Sequence, residues 1–215
     1  MPIFVVMIRL LSYIYPITRK IESKYNGTLE ITWFRGKKLL NTKNANYSYG
    51  SLEKILKIGF NNININQTKN ILLLGLGGGN VVKTLQNKFN YNNKITAIEI
   101  DPIIIKIAKD EYDIKNNSKL KIICIDAYEY VFNNKMNYDF IIIDLFLDDT
   151  IPEKFFNIEF WNRLTLSKQL LFNASLNGKN EHQLKNIINL LKKNNYTIKK
   201  LDNVNKTNTL LVATK

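Results

Sequence analysis

The sequence predicts an α/β fold: a doubly wound, mostly parallel sheet that ends in an antiparallel strand pair, with a small β unit in front of it. Three observations carry this. From Asn70 onward, short apolar runs alternate with helical patterns. The first run, Asn70-Ile-Leu-Leu-Leu-Gly-Leu-Gly-Gly-Gly-Asn80, breaks into glycines, and a helix begins at once. The last two apolar runs are joined by only Asp202-Asn-Val-Asn-Lys-Thr, close enough to pair antiparallel.

A chain of 215 residues can bury roughly 70% of its unfolded surface, so one main domain is expected. The Asn-rich stretch 61–69 places it at residues 61–215, behind a front part at 1–60. The net charge of +13 invites a nucleic-acid or anionic-surface reading. Because the basic residues run along the whole chain among Asn and Ile, and no nucleic-acid motif accompanies them, solvated lysines are preferred and nucleic acid ranks behind them. Cys124, the one cysteine, sits in an apolar run and reads as a small core residue rather than a nucleophile. No intrachain disulfide can form, which suits a reducing cytoplasm. The run from Pro2 to Ile17 is hydrophobic, but Arg9 interrupts it and Pro16 ends it. It is short for a membrane span, so an amphipathic helix packed on the body is expected, with no membrane partner.

In chain order, Tyr25-Asn-Gly27 marks a turn, and Thr28 to Phe34 alternates apolar Leu29, Ile31 and Trp33 with polar residues, the period of a half-buried strand. Arg35-Gly-Lys37 turns into a second strand, Lys38 to Thr42. A Tyr-bearing segment, Tyr47 and Tyr49, leads into a helix with Leu52, Ile55, Leu56 and Phe60 on one face, and Gly59 is placed to close it. In the main domain, strands are expected at 71–74, 95–100, 120–125, 138–143 and 169–174. Helices follow at 81–88, after Asp101-Pro102, at 128–132, around Phe160 and Trp161, and at 182–193. Asp101 before Pro102 is a capping carboxylate ahead of a proline at the first helical position.

Ligands of such sheets bind at the carboxyl ends of the strands. Gly75, Gly77 and Gly79 form G-x-G-x-G, which lets a ligand approach the main chain beside a helix N-terminus. Glu99 stands about 20 residues on, at the end of the next strand, the spacing at which a carboxylate accepts from both ribose hydroxyls. Asp126 with small Ala127 fits an adenine edge, against an equally weighted reading as a helix N-cap. Asp144 ends the fourth strand, and Asp148 and Asp149 follow it. Such clustered carboxylates suit a cation: a metal, a polyamine, or a sulfonium donor with its amine acceptor. A metal is disfavoured, because His182 is the lone histidine and lies on the last helix.

With those residues in view, the sequence resembles the class I S-adenosylmethionine-dependent methyltransferase fold, which is Rossmann-like. More narrowly, it resembles the spermidine synthase (polyamine aminopropyltransferase) family. The resemblance implies transfer of an aminopropyl or methyl group from S-adenosylmethionine, or its decarboxylated form, to a small-molecule amine acceptor. The glycine loop, Glu99, Asp126 and Ala127 would then hold the donor, and Asp144 would help deprotonate the amine. Tyr47, Tyr49 and Asp148 would line the acceptor site, and the front β unit would pair two chains into a homodimer. Three positions differ from the family pattern. Gly78 replaces a glycine-loop acid, Gly50 and Ser51 follow Tyr49 in place of Gln and Glu, and Asp144 and Asp148 are four apart rather than three. Alternatives are a small-molecule or protein methyltransferase and a non-catalytic nucleoside-binding or assembly protein.

Overall fold

The computed structural model describes residues 3–43, 46–48, 51–176, 180–206 and 208–215. The front of the chain forms helix α1 (Ile3–Leu11) and a four-stranded antiparallel sheet of β1 (Ile17–Ser23), β2 (Gly27–Phe34), β3 (Lys37–Asn41) and β4 (Asn46–Ser48). Sequence reading carries the helical run on to Ile17 and misses β1. The helix in fact stops at Leu11. Ile17 to Ser23 instead pairs with β2 across the Tyr25-Asn-Gly27 turn, where Gly27 takes φ 62°. The polar run Thr18-Arg-Lys20 hides β1 because this edge strand exposes most of its side chains.

Helix α2 (Ser51–Phe60) follows, then β5 (Asn70–Leu74), α3 (Asn80–Lys88), β6 (Lys94–Glu99), α4 (Pro102–Tyr112), β7 (Leu120–Cys124), α5 (Ala127–Asn133), β8 (Phe140–Ile143), α6 (Ile158–Leu164), β9 (Gln169–Leu176), α7 (Glu181–Lys193), β10 (Thr197–Val204) and β11 (Asn208–Thr214). The seven-stranded sheet has the order β10-β11-β9-β8-β5-β6-β7. Strands β5 to β9 run parallel and β10 pairs antiparallel with β11, as the sequence predicts, and β11 also pairs antiparallel with β9.

Both faces of this sheet are covered, which is why its central strands are apolar without alternation. Leu72, Leu74, Ile141 and Ile143 join Trp161 and Phe172 in one core, while Ile71, Leu73, Phe140 and Ile142 join Phe60, Val82 and Leu85 in the other. A third cluster seats Leu29, Ile31 and Leu40 of the front sheet on Ile104 and Ile107 of α4. Asp101 completes that joint. It is fully buried, its Oδ1 accepts from the Ile103 N–H at 2.8 Å, and its Oδ2 accepts from Ser23 Oγ and from Asn26 Nδ2.

Two local expectations need correction. Gly59 does not close α2 but lies inside it, where a Cβ would stand 2.7 Å from Leu171 Cδ1, so the glycine lets the helix sit close on β9. Cys124 is exposed rather than in the core, because β7 is the edge strand of the sheet.

Candidate active site

The registers of the parallel strands bring the predicted acids to one edge. Leu74 of β5 stands beside Ile98 of β6 and Ile143 of β8, and Glu99 beside Cys124 of β7. The glycine loop, Glu99, Asp126 and Asp144 therefore all follow the carboxyl ends of neighbouring strands. Adjacent strands lie about 4.8 Å apart, so these groups surround one crevice.

Each glycine in the loop has a separate reason. Gly75 takes φ 95°, and a Cβ there would fall 2.0 Å from the main-chain oxygen of Asp144. Backbone thus touches backbone between β5 and the residue that ends β8. Gly77 takes φ 52°, and Gly79, the left-handed N-cap of α3, has no room for a Cβ against Ile114. Asn80 opens α3, and its buried Nδ2 has no hydrogen-bond partner among the described residues. A buried donor without an acceptor costs about 1–3 kcal/mol, so this amide suits a polar ligand atom laid on the loop.

Glu99 does something the sequence does not reveal. Its Oε2 accepts from the N–H groups of Leu76 at 3.1 Å and Gly77 at 3.2 Å, and its Oε1 from the Asp101 N–H at 3.1 Å. The carboxylate therefore shapes the loop as well as facing the crevice. Burial raises its pKa, and the three N–H groups oppose that rise. Oε2 is thereby filled, while Oε1 keeps a lone pair for a further donor, as a ribose hydroxyl would supply.

Asp126 caps α5, accepting from the Tyr128 N–H at 2.7 Å and the Glu129 N–H at 3.4 Å through Oδ1. Its Oδ2 pairs with Lys154. The helix-cap reading describes what this residue does here, and an adenine amine would compete with Lys154 for Oδ2. Ala127 is buried directly after it.

Asp144 is held from two sides. Its N–H donates to Leu74 O at 2.9 Å, and Asn173 Nδ2 donates to its Oδ1 at 2.9 Å. Asn208 Nδ2 donates in turn to Asn173 Oδ1 at 2.8 Å, which fixes the Asn173 amide with its NH₂ toward the acid. Both asparagines are buried. Burial pushes the Asp144 carboxyl up to about 6, against a smaller opposite effect of the Asn173 hydrogen bond. Sequence reading misses this pair, although a buried Asn on each of the neighbouring strands β9 and β11 is a signal in an apolar sheet.

The loop after Asp144 reaches the front unit. Asp148 takes φ 54°, and Thr42 Oγ1, just beyond β3, donates to its carboxylate. The acceptor side proposed from sequence is thus bordered by the β3–β4 region. Tyr49 lies outside the described residues, and Tyr47 is described only in its backbone, as part of β4.

A family model of the spermine/spermidine synthase domain matches residues 52–199. The chain belongs to the spermine/spermidine synthase family. Among curated relatives, the polyamine aminopropyltransferase of Vibrio vulnificus is 31% identical over 109 residues, covering 49% of this chain and 35% of the relative. The corresponding enzyme of Sulfolobus acidocaldarius is 32% identical over 111 residues, covering 47% and 36%. The matched stretch thus spans about a third of these relatives. An eEF1A lysine and N-terminal methyltransferase homolog of Drosophila pseudoobscura is 29% identical over 80 residues, covering 36% of this chain and 12% of the relative. Among solved structures, a probable spermidine synthase from Corynebacterium glutamicum superposes with a TM-score of 0.66 at 16% identity, covering 93% of this chain and 77% of the other. Human Methyltransferase-like protein 13, in complex with SAH, gives 0.61 at 18%, covering 77% and 82%. These superpositions share the α/β fold and its terminal strand pair.

Proposed function

We propose that this spermidine synthase family member transfers an aminopropyl group from an S-adenosylmethionine-type donor to an amine acceptor. The observation that supports this most is the position and protonation chemistry of Asp144. It lies against the glycine loop, with one oxygen engaged by Asn173 and a carboxyl raised to about 6. A free carboxylate near 4 is a poor proton acceptor, while one near 6 is better matched to neutral pH.

When bound, the donor supplies an electrophilic carbon attached to a sulfonium. Glu99 accepts from a ribose hydroxyl, the glycine loop gives the nucleoside main-chain contact, and Asn80 Nδ2 gains an acceptor. Asp126 and Ala127 take the adenine edge once Lys154 yields Oδ2. Asp144 attracts the cationic amine and accepts its proton, because an alkylammonium near pKa 10 has no lone pair with which to attack. The nitrogen–carbon bond forms as the carbon–sulfur bond breaks, and that electron pair stays on sulfur. Tyr47, Tyr49 and Asp148 border the acceptor in this reading, as aromatic faces and a carboxylate suit an aliphatic cation.

A second reading, methyl transfer from S-adenosylmethionine itself, draws on Gly78. A donor that retains its carboxylate has no need of an acid in the loop, whereas a decarboxylated donor presents a bare ammonium that does.

The test is Asp144→Asn with labelled donor and a panel of amines. Turnover should fall by about 10²-fold or more while donor affinity stays within about twofold. Full activity in the variant would remove Asp144 from this role.

A further inference from the structure

Helix α1 is apolar on two sides. Ser12 at its end is buried and clamps it to the front sheet, accepting through its main-chain oxygen from the Arg35 N–H at 2.8 Å and through Oγ from the Gly36 N–H at 2.9 Å. Met7, Leu10 and Leu11 of α1 and Ile14 and Tyr15 just beyond it are exposed, Leu10 by 63% and Ile14 by 87%. Among the described residues, seven of the twelve exposed large hydrophobic ones fall between Val6 and Tyr15. Scattered exposed leucines need no explanation, but this is a contiguous patch on one short segment, and a helix hydrophobic all round is normally covered.

Charge indicates what covers it. The basic residues extend along the chain, but the excess of them does not extend evenly. Residues 1–43 hold eight Lys and Arg against two Glu, so nearly half of the net +13 sits on the first fifth of the chain. No acid occurs before Glu22. Of the eight basic residues, Lys20 is ion-paired with Glu30 and Arg19 and Lys38 with Glu111, while Arg9 on α1 and Arg35, whose N–H meets the end of α1 at Ser12, are exposed. An apolar patch set in a cationic surface, with tyrosines at its border, matches an anionic lipid interface.

We infer that the α1 face, with the basic residues around it, docks on the surface of an anionic membrane. It lies in the interface and does not cross it, since nine residues at about 1.5 Å each give about 13 Å against a hydrocarbon core of about 30 Å. No described helix is long and apolar enough to span. The sequence expectation of no membrane partner rested on span length, and surface docking needs no span. Nucleic acid fits less well, because Leu10, Leu11 and Ile14 offer bases no ring to stack on. A second copy would bring two equally cationic surfaces together.

The test is sedimentation of the full chain with vesicles of phosphatidylcholine alone and with added phosphatidylserine, at low and high salt. Binding should require phosphatidylserine and weaken with salt. Arg9→Gln and Arg35→Gln should each lower it about fivefold. Leu10→Glu with Ile14→Glu should lower it more than about tenfold, with the melting temperature unchanged because both positions are exposed. Failure to sediment with phosphatidylserine vesicles would overturn the inference. So would a dimer in light scattering that the Leu10→Glu/Ile14→Glu variant dissociates, which would assign the face to a second copy. Neither result bears on donor binding or on Asp144.

Discussion

Asp144 ties stability to activity. Its folded carboxyl is raised from the ordinary 3.8 to about 6, so the folded state holds this proton more tightly than the unfolded one. The stabilisation is complete below about pH 4 and is lost as pH rises through about 6, leaving a cost of up to about 3 kcal/mol at neutral pH. Denaturant unfolding should therefore find Asp144→Asn more stable than the parent at pH 7 and equal to it near pH 4. Under the role proposed for Asp144, activity should run the other way, with a rising limb near pH 6 in a pH–rate profile. Asn173 sets where that limb lies, since its amide favours the ionised acid. In Asn173→Ala the limb should move up by about one pH unit. A rate lowered equally at all pH values would reduce Asn173 to a packing role. The glycine loop and the three acids at the strand ends were legible from spacing, because parallel strands of similar length end together. The Asn173–Asn208 pair was not, because it depends on which strand β11 joins. The loop-shaping contacts of Glu99 were hidden for a similar reason, since they depend on the path of the glycine turn.

At the scale of elements, the joint between the front sheet and α4 depends on one residue. Asp101 was legible as a cap from Asp-Pro, but its contacts to Ser23 and Asn26 were not, because β1 was not foreseen. Asp101→Ala removes the helix cap and leaves the Ser23 and Asn26 donors short of an acceptor. It should cost about 2–4 kcal/mol in denaturant unfolding. Ser23→Ala alone should cost less, and a double mutant that merely adds the two costs would show that the joint does not act as a unit. The β5–α3 turn was the most legible element of the chain, since Gly75 and Gly79 combine a positive φ with no room for a Cβ against Asp144 and Ile114. The end of α1 was the least legible, since the apolar run continues past Leu11 while the hydrogen-bonding requirement of β2 claims the residues after Pro16.

For the molecule as a whole, the mostly parallel sheet followed from the alternation of apolar runs with helices, and the terminal antiparallel pair from its short connection, whereas the strand order was not read from the sequence. What separates this chain from a general α/β nucleoside binder is the convergence of the loop, Glu99, Asp126 and Asp144 on one crevice beside the front unit. That convergence makes one measurement decisive: isothermal calorimetry of the full chain with S-adenosylmethionine and with its decarboxylated form, each repeated on Glu99→Gln. The account predicts saturable binding of at least one donor, weakened more than about tenfold in the variant. Absence of heat and of competition with either donor, in a chain shown to be folded, would contradict it.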